Sequence, residues 1–378
     1  MYNGRIIFIN RMSLALYRKY RPSTFEDLLG QELISRILRE AAKQNALSHA
    51  YLFAGSRGTG KTTTARLIAK IANCEKRQND PEFLKKGEPC NKCRMCVEID
   101  EGKNLDVIEI DAASTRGIDD IRDLKENVRV SPNFARYKVF IIDEAHQLTK
   151  DAWNALLKTL EEPPEYVILI LATTEIDRVP ATIVSRTQQF HFKHVPLETI
   201  VSKLKMIAKE EAIDIASDAL ELVASSAEGS FRDAESLLGQ LVSFDDKKVT
   251  LAEVESMVGK VGFDKLSAFV GLLMDKNTGE ALRTLSDIYD GGYNIVQFTK
   301  DIIQYLRRVA VLRYNPEMKT LFGRELMKDH VLKLESDAKK FDETHITLLK
   351  GLITAYGQMR YGQFPIIPLE VAIIEGLK

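Results

Sequence analysis

Short apolar runs alternate with helical patterns in the first half of the chain. Four of these runs predict β-strands, at His49–Phe53, Leu105–Ile110, Lys138–Ile142 and Val167–Leu171. The last two are almost uninterrupted apolar β-formers, as is typical of central parallel strands that are covered on both faces. Because strands and helices alternate, the pattern predicts a parallel sheet with right-handed crossovers.

The strand signal stops after Pro196, and apolar residues then recur at helical spacing. The first such stretch includes Leu197, Ile200, Val201 and Leu204. This spacing predicts that the second half of the chain is all-helical. The glycines at positions 259 and 262 are the best place to divide it into a small bundle and a larger one.

Length, composition and charge narrow the class of protein. A chain of 378 residues suggests two or three domains, since a domain has about 100–200 residues. The hydrophobic fraction of 45% and charged fraction of 28% exclude a mostly disordered chain. Lys and Arg total 53 against 54 Asp and Glu. This balance excludes a globally basic DNA-coating protein but is compatible with a local basic surface.

The apolar runs are too short for a membrane span. The longest strongly apolar run is Tyr166–Ala172, whereas a span needs about 20 such residues. The segment Arg5–Arg11 is also too short for the apolar stretch of a signal peptide. We therefore expect a cytoplasmic protein with no membrane partner.

A phosphate-binding loop is predicted directly after the first strand. The string from Gly55 to Thr62 fits G-x-x-x-x-G-K-[ST] at every fixed position and opens the helical pattern Thr63–Asn73. Glycines let the backbone approach phosphates closely, and loop amides then face them. Lys61 is expected to reach the β- and γ-phosphates, and the Thr62 hydroxyl to ligate Mg²⁺. The alternative is a chance glycine-rich turn. The predicted binding residues are Gly55, Ser56, Arg57, Gly58, Thr59, Gly60, Lys61, Thr62 and Thr63.

Two acids follow the third predicted strand. Asp143 and Glu144 come directly after Val139–Ile142, and the carboxyl edge of a parallel sheet is where such folds bind ligands. Asp143 is expected to help hold Mg²⁺, and Glu144 to orient and deprotonate the attacking water. The alternative is that the two acids only begin an exposed loop.

All four cysteines fall in one short stretch of the chain. They are Cys74, Cys90, Cys93 and Cys96, and in a cytosolic protein such a cluster favours a metal over disulfides. Four thiolates suffice for a closed tetrahedral structural zinc site, with no open position for catalysis. Unmetallated thiols and an iron–sulfur cluster are the alternatives.

Taken in this order, the motifs resemble the gamma/tau family of bacterial DNA polymerase III clamp-loader ATPases. The resemblance runs from about residue 13 to 245 and continues more weakly to the end. The cysteine insert is its most specific part. Besides that insert and the phosphate loop, the strings that carry it are Leu16–Pro22, Phe25–Gln31, His49–Phe53, Glu109–Ser114, Asp143–His146, Asn154–Pro164, Ala172–Glu175, Ser185–Thr187 and Gly229–Asp233.

The resemblance implies a specific domain order. An N-terminal extension at residues 1–12 is followed by an α/β P-loop AAA+ domain at 13–196, a parallel sheet flanked by helices. A zinc-binding insert lies at about 74–97 of that domain. A small helical lid is expected at 197–258 and an all-α oligomerisation collar at 259–378. The end at Lys378 is expected to mark a short form, or a piece of a longer tau form that carries further domains.

The resemblance also implies roles that spacing alone does not give. Arg186 would be an arginine finger that reaches ATP on a neighbouring subunit, although Thr187 departs from the Ser-Arg-Cys string usual in the family. Arg232 would be a sensor at the start of a lid helix, facing the γ-phosphate. Thr174, with Thr173 as the alternative, would sense the γ-phosphate from a strand end. The adenine pocket would be lined by Tyr17, Arg21, Pro22, Leu28 and Leu29.

The function implied is that of an ATP-driven motor subunit that opens a sliding clamp and loads it onto primer–template DNA. The expected partners are the delta and delta-prime subunits, further copies of this chain, the beta clamp and DNA bound without sequence specificity. Arg116 and Arg122 are candidate phosphate contacts, with an exposed salt-bridged helix as the alternative. The competing functions are a ring-shaped branch-migration or helicase-loading motor and a non-hydrolysing scaffold.

Overall fold

The computed structural model describes residues 15–114, 126–244, 248–323, 326–359 and 363–378. These residues form two compact units. The first contains the described residues up to Val195 together with Ser230–Arg232. The second contains Pro196–Gly229 and the described residues from Asp233 onward.

A parallel five-stranded sheet forms the centre of the first unit. Its strands run side by side in the order β2-β3-β4-β1-β5. The four strands predicted from the sequence are confirmed to within a few residues, and β3 and β4 are buried along almost their whole length. The strands are β1 Ala50–Gly55, β2 Val107–Asp111, β3 Lys138–Asp143, β4 Val167–Thr173 and β5 Gln188–Phe192.

The edge strand β5 was not predicted. Only Phe190 and Phe192 are buried in it, while Gln188, Gln189 and His191 are exposed. A half-exposed edge strand lacks the continuous apolar run that marks a central parallel strand. Its pairing with β1 is therefore a long-range feature that the local pattern does not show.

Helices cover both faces of this sheet. On one face, Leu67 and Ile68 pack with Tyr51 and Phe53 of β1. On the other face, Leu52 lies in a second core with Trp153 and Leu156. The alternation within β1 follows from the two-residue period of a strand. The helices of this unit are α1 Leu16–Lys19, α2 Glu32–Lys43, α3 Lys61–Asn73, α4 Glu75–Asn79, α5 Pro81–Leu84, α6 Arg94–Glu101, α7 Lys150–Glu161 and α8 Ala181–Val184.

A buried carboxylate, Asp106, fixes the loop that leads into β3. It is 1% exposed, and its two oxygens accept the backbone N–H groups of Asn133, Phe134 and Ala135 at 2.8–2.9 Å. Burial raises the pKa of Asp106, but these hydrogen bonds outweigh that effect and lower it. The ionised side chain therefore stabilises the folded state.

Asp106→Asn is expected to lower the free energy of unfolding by about 2–3 kcal/mol, because its amide nitrogen would face backbone donors. Because folding lowers the pKa of Asp106, its stabilisation is present at neutral pH and is lost as the pH falls below about 4. Denaturant unfolding at pH 7 and at pH 3 checks both statements. The exposed Asp177→Asn serves as the control, and an equal loss in both variants would contradict the assignment.

The second unit is predominantly helical. One apolar core of this unit extends from Val261 to Leu377. None of the described helices combines the length and the apolar character that a membrane span requires. The helices of the second unit are α9 Leu197–Glu210, α10 Ser217–Ser226, α11 Phe231–Phe244 (whose first two residues group with the first unit), α12 Leu251–Val258, α13 Phe263–Met274, α14 Thr278–Asp290, α15 Ile295–Tyr314, α16 Lys319–Phe322, α17 Lys328–Ala338, α18 Glu343–Met359 and α19 Ile366–Gly376.

The prediction of an all-helical second half is wrong at one place. Two short strands, β6 Asp214–Ile215 and β7 Lys248–Val249, pair in parallel. A two-residue strand is too short to produce an alternating pattern, so neither strand could be predicted from the sequence. The break proposed near position 259 stays a prediction; α12 ends there, and Gly259 has a φ of +65°.

Candidate active site

The loop between β1 and α3 has the backbone that the glycine motif requires. Gly58 and Gly60 have φ values of +73° and +104°, a region that L side chains rarely adopt. A Cβ atom at Gly58 would lie 1.8 Å from Ser230 Oγ. The Gly58 carbonyl also accepts the backbone N–H of Phe231 at 3.2 Å. The glycine therefore allows Ser230–Arg232 to lie against the loop.

Lys61 is buried at the start of α3. Its Nζ donates to the carbonyl oxygens of Gly55 at 2.7 Å and Ser56 at 2.8 Å. Burial lowers the pKa of Lys61, whereas the charges of Glu144 and Asp143 raise it. The ammonium group thus lies at the loop, near both acids that the sequence analysis selected.

Thr62 and Asp143 meet at the carboxyl edge of the sheet. The Thr62 hydroxyl donates to Asp143 Oδ2 at 2.7 Å, although the two residues are 81 positions apart. Asp143 is the last residue of β3. Hydroxyl and carboxylate oxygens are the ligands that Mg²⁺ prefers, so this donor set fits that ion.

Glu144 has a left-handed backbone and is held by a neighbouring strand end. Its φ is +48°, and its N–H donates to Asp143 Oδ1 at 2.9 Å. Its Oε2 accepts the hydroxyl of Thr174 at 3.1 Å. Thr174 directly follows β4, whereas Thr173 is the buried last residue of that strand. The structure therefore brings Thr174, rather than Thr173, to the Glu144 carboxylate.

The residues predicted to line the adenine pocket differ in burial and in their contacts near the phosphate loop. Arg232, in the first turn of α11, lies with its guanidinium 5.2 Å from the centre of the Tyr17 ring. Leu28 is buried, and its side chain would lie 3.2 Å from a Cβ atom added at Gly60. Leu29 is 40% exposed, and Arg21 and Pro22 are half-buried. Tyr17, Leu28 and Arg232 are thus the predicted residues whose contacts place them beside the loop or its neighbours.

Arg186 has its polar contacts elsewhere in the same domain. Its Nη2 lies 2.8 Å from Glu161 Oε1. Its Nη1 donates to the Thr182 carbonyl at 2.8 Å and to Ser185 Oγ at 3.3 Å. Among the described residues, none of its hydrogen bonds or ion pairs is made to the phosphate loop of its own chain. Arg116 and Arg122, the candidate DNA contacts, lie outside the described residues.

The four cysteines form one cluster after α3. Their Sγ atoms all lie within 4.8 Å of one another, and Cys74 and Cys96 are buried. A tetrahedral zinc–thiolate site has sulfur atoms about 3.8 Å apart, from Zn–S bonds of about 2.3 Å; the Cys90 and Cys96 Sγ atoms are 4.0 Å apart. Hydrogen bonds, the strongest of them with Cys96, lower the pKa of the Cys74 thiol. The residues therefore fit a zinc ion.

The structure also identifies a residue to which the sequence analysis gave no role. His146 is buried between Glu144, Thr173 and Glu175. The string Asp143–His146 carries part of the family resemblance but by itself assigns no role to His146. Its contacts with the end of β4 are made across 27 positions and could not be read from that string.

Comparisons with known proteins match the chain in three consecutive segments. A family model described as the DNA polymerase III delta subunit matches residues 30–196. One for the ATPase lid domain of a DNA polymerase III clamp loader subunit matches 199–247. One for domain III of the DNA polymerase III subunits gamma and tau matches 249–375. With the parallel sheet, these matches confirm the predicted fold class of an AAA+ domain, a helical lid and a helical C-terminal domain.

Curated relatives agree with these segments. DNA polymerase III subunit tau of Bacillus subtilis (strain 168) is 39% identical over 361 residues, which are 96% of this chain and 62% of the relative. The tau subunit of Escherichia coli (strain K12) is 40% identical over 301 residues, 80% of this chain and 46% of the relative. The chain thus spans less than two thirds of the length of these two relatives.

One relative is covered almost completely. The DNA polymerase III subunit gamma of Buchnera aphidicola subsp. Baizongia pistaciae is 36% identical over 341 residues, which are 89% of this chain and 90% of the relative. Identity at this level over nearly the whole of both sequences shows common descent. The chain therefore belongs to the gamma/tau family of DNA polymerase III clamp-loader subunits.

Proposed function

We propose that this chain is the ATPase motor subunit of a cytoplasmic bacterial clamp loader. In this proposal, ATP binding and hydrolysis open the sliding clamp and load it onto primer–template DNA. The observation that carries it is the convergence of Lys61, Thr62, Asp143, Glu144 and Thr174 at one edge of the sheet. A family member that only served as a scaffold would not need this complete set of groups.

Each group in the site has a distinct task. Lys61 binds the β- and γ-phosphates. To do so, its ammonium group gives up its hydrogen bonds to the carbonyl oxygens of Gly55 and Ser56. Thr62 and Asp143 would hold Mg²⁺, which neutralises phosphate charge when bound. Glu144 accepts a proton from the attacking water. Arg232 and Thr174 contact the γ-phosphate, and Tyr17, Arg21, Pro22, Leu28 and Leu29 enclose the adenine.

Arg186 is proposed to act on the site of a neighbouring copy. Its contacts with Glu161 and Ser185 hold it on a surface, and it is partly exposed. An arginine delivered from the next subunit stabilises the charge of the phosphoryl-transfer transition state. Hydrolysis would then depend on assembly with further copies and with the delta and delta-prime subunits, because the site is incomplete in one chain.

DNA and the beta clamp are proposed as the other partners. DNA would be held through its phosphates, so binding should weaken with salt and show no sequence preference. The proposed domain boundaries remain 13–196 for the AAA+ domain, 197–258 for the lid and 259–378 for the collar.

Lys61→Ala tests the ATPase site directly. The variant, assembled with delta and delta-prime, should lose ATP turnover stimulated by clamp and DNA by about 10²–10³-fold, because the phosphates lose a fixed charge. Lys43→Ala is the matched control, since that lysine is half-buried on α2 and forms an ion pair with Glu40. Normal turnover by Lys61→Ala would contradict the site assignment.

The cysteine cluster is proposed to bind one structural zinc ion. Because Cys74, Cys90, Cys93 and Cys96 supply four ligands, the ion would add folding energy to this insert rather than take part in catalysis.

Purified chain is expected to contain about one zinc per molecule by elemental analysis. Cys90→Ser should lower this content and the thermal unfolding midpoint while the phosphate loop still binds nucleotide. Ser131→Ala, outside the insert, is the control. A metal content near zero after gentle purification, or iron in place of zinc, would refute the assignment.

A further inference from the structure

His146 is a buried side chain in the candidate active site that has no task in the scheme above. It lies two residues after Glu144, in the 3-10 turn Ala145–Gln147, and its side chain is 4% exposed. A buried imidazole needs partners for both ring nitrogens. Those partners show what His146 connects.

The two nitrogens face different groups. Nδ1 lies 3.1 Å from Thr173 Oγ1 and 3.5 Å from Glu144 Oε2. Nε2 lies 3.0 Å from the side-chain nitrogen of Gln147 and 3.3 Å from Glu175 Oε1. The carboxylate oxygens of Glu144 and Glu175 can only accept, so each holds the ring when the nitrogen that faces it carries a hydrogen. The Nδ1 side of the ring thus faces Thr173 and Glu144, and the Nε2 side faces Gln147 and Glu175.

Two threonines at the end of β4 hold this pair of residues: Thr173 contacts His146, and Thr174 contacts Glu144. Thr174 donates its hydroxyl to Glu144 Oε2 at 3.1 Å. Thr173 Oγ1 accepts the backbone N–H of Glu175 at 3.0 Å and lies against His146. The Glu144 carboxylate is therefore connected to the end of β4 twice, once directly and once through the imidazole.

The connection through His146 matters because the Thr174 hydroxyl has only one hydrogen to donate. Thr174 can donate to Glu144 or to a phosphate oxygen, but not to both at once. When Thr174 donates to a phosphate, Glu144 loses that restraint just when its carboxylate must face the attacking water. The left-handed backbone of Glu144 is an uncommon conformation that persists only because surrounding contacts hold the residue.

We propose that His146 is a positioning residue for Glu144. Its Nδ1 side keeps the carboxylate aligned with the end of β4 when Thr174 turns to the phosphate. This inference rests on the proposed role of Glu144 as the base. It predicts that the Nδ1 contact affects the chemical step, whereas the Nε2 contact with Gln147 and Glu175 serves only to orient the ring.

Two substitutions separate the two nitrogens. His146→Asn places an amide nitrogen near the position of Nδ1, and His146→Gln places one near Nε2. In the assembly with partner subunits, His146→Gln should lower kcat about 10–100-fold, the size expected for a misaligned base. His146→Asn should stay within about threefold of the unsubstituted chain, and the KM for ATP should change less than about twofold in both.

A second pair tests the other end of the contact. Thr173→Val removes the hydroxyl that faces Nδ1, and Thr173→Ser keeps it. The valine variant should lower kcat with little change in KM, and the serine variant should retain most of the activity. If the histidine variants do not fold, this pair decides the question.

The outcomes distinguish this inference from the proposed function. If the unsubstituted assembly turns over ATP no faster than its Lys61→Ala counterpart, the proposed function fails. If it is active but His146→Gln keeps full kcat, or Asn and Gln lower kcat equally, the positioning role is wrong. Equal activity of Thr173→Val and Thr173→Ser also overturns it.

Discussion

Arg186→Ala is expected to lower ATP turnover of the assembled oligomer by about 10³–10⁵-fold, the range found for arginine fingers. The guanidinium would be lost from the site of the neighbouring copy, while the phosphate loop of the same chain keeps all its contacts. ATP affinity of the isolated chain should therefore remain close to normal. Steady-state hydrolysis by the assembly, together with nucleotide binding to the single chain, measures both quantities.

Glu161→Gln is the matched control for this prediction. It removes the charged partner that Arg186 has within its own chain but leaves the guanidinium in place. An exposed ion pair of this kind contributes only about 0.2–1 kcal/mol, so the unfolding midpoint should hardly change in either variant. If Glu161→Gln reduced turnover as strongly as Arg186→Ala, the loss would be due to the local pair and not to a finger.

Glu144→Gln should lower turnover about 10²–10⁴-fold, the usual contribution of a general base. The amide keeps the size of the side chain and can still accept the Thr174 hydroxyl, but it cannot take up a proton. Nucleotide binding should persist, because Lys61 and the loop amides are unchanged. Single-turnover hydrolysis together with ATP binding by equilibrium titration separates the two effects.

Asp143→Asn provides the contrast. Asp143 accepts the Thr62 hydroxyl and is proposed to affect metal-dependent binding of ATP. The loss of ATP binding in Asp143→Asn should therefore be partly relieved by a high Mg²⁺ concentration. Glu144→Gln should show no such relief. A Glu144→Gln assembly that hydrolyses ATP at the normal rate would remove this residue from the chemical step.

Features encoded by local strings could be predicted from the sequence. The phosphate loop has a fixed spacing, β3 and β4 are continuous apolar runs, and the cysteines are close together, so each gives a strong signal within a few residues. For the same reason Asp143 could be placed at the end of its strand.

Features that depend on distant contacts could not be predicted. The strand β5 is recognisable only by its pairing with β1. The choice between Thr173 and Thr174 depends on the direction in which each side chain leaves β4, and the position of His146 depends on that same strand end. Arg186 is proposed to act on the nucleotide site of another copy, and a contact of that kind does not occur within one chain.

The central claim, that one copy completes the nucleotide site of the next, is tested most directly by mixing two inactive variants. Lys61→Ala chains cannot bind the phosphates but carry an intact Arg186, whereas Arg186→Ala chains have the reverse defect. Assemblies formed from both should regain a clear fraction of normal turnover, at interfaces where an Arg186 of the first variant faces a phosphate loop of the second. Turnover that stays at the level of either variant alone, under conditions where unsubstituted chains do mix, would contradict the account.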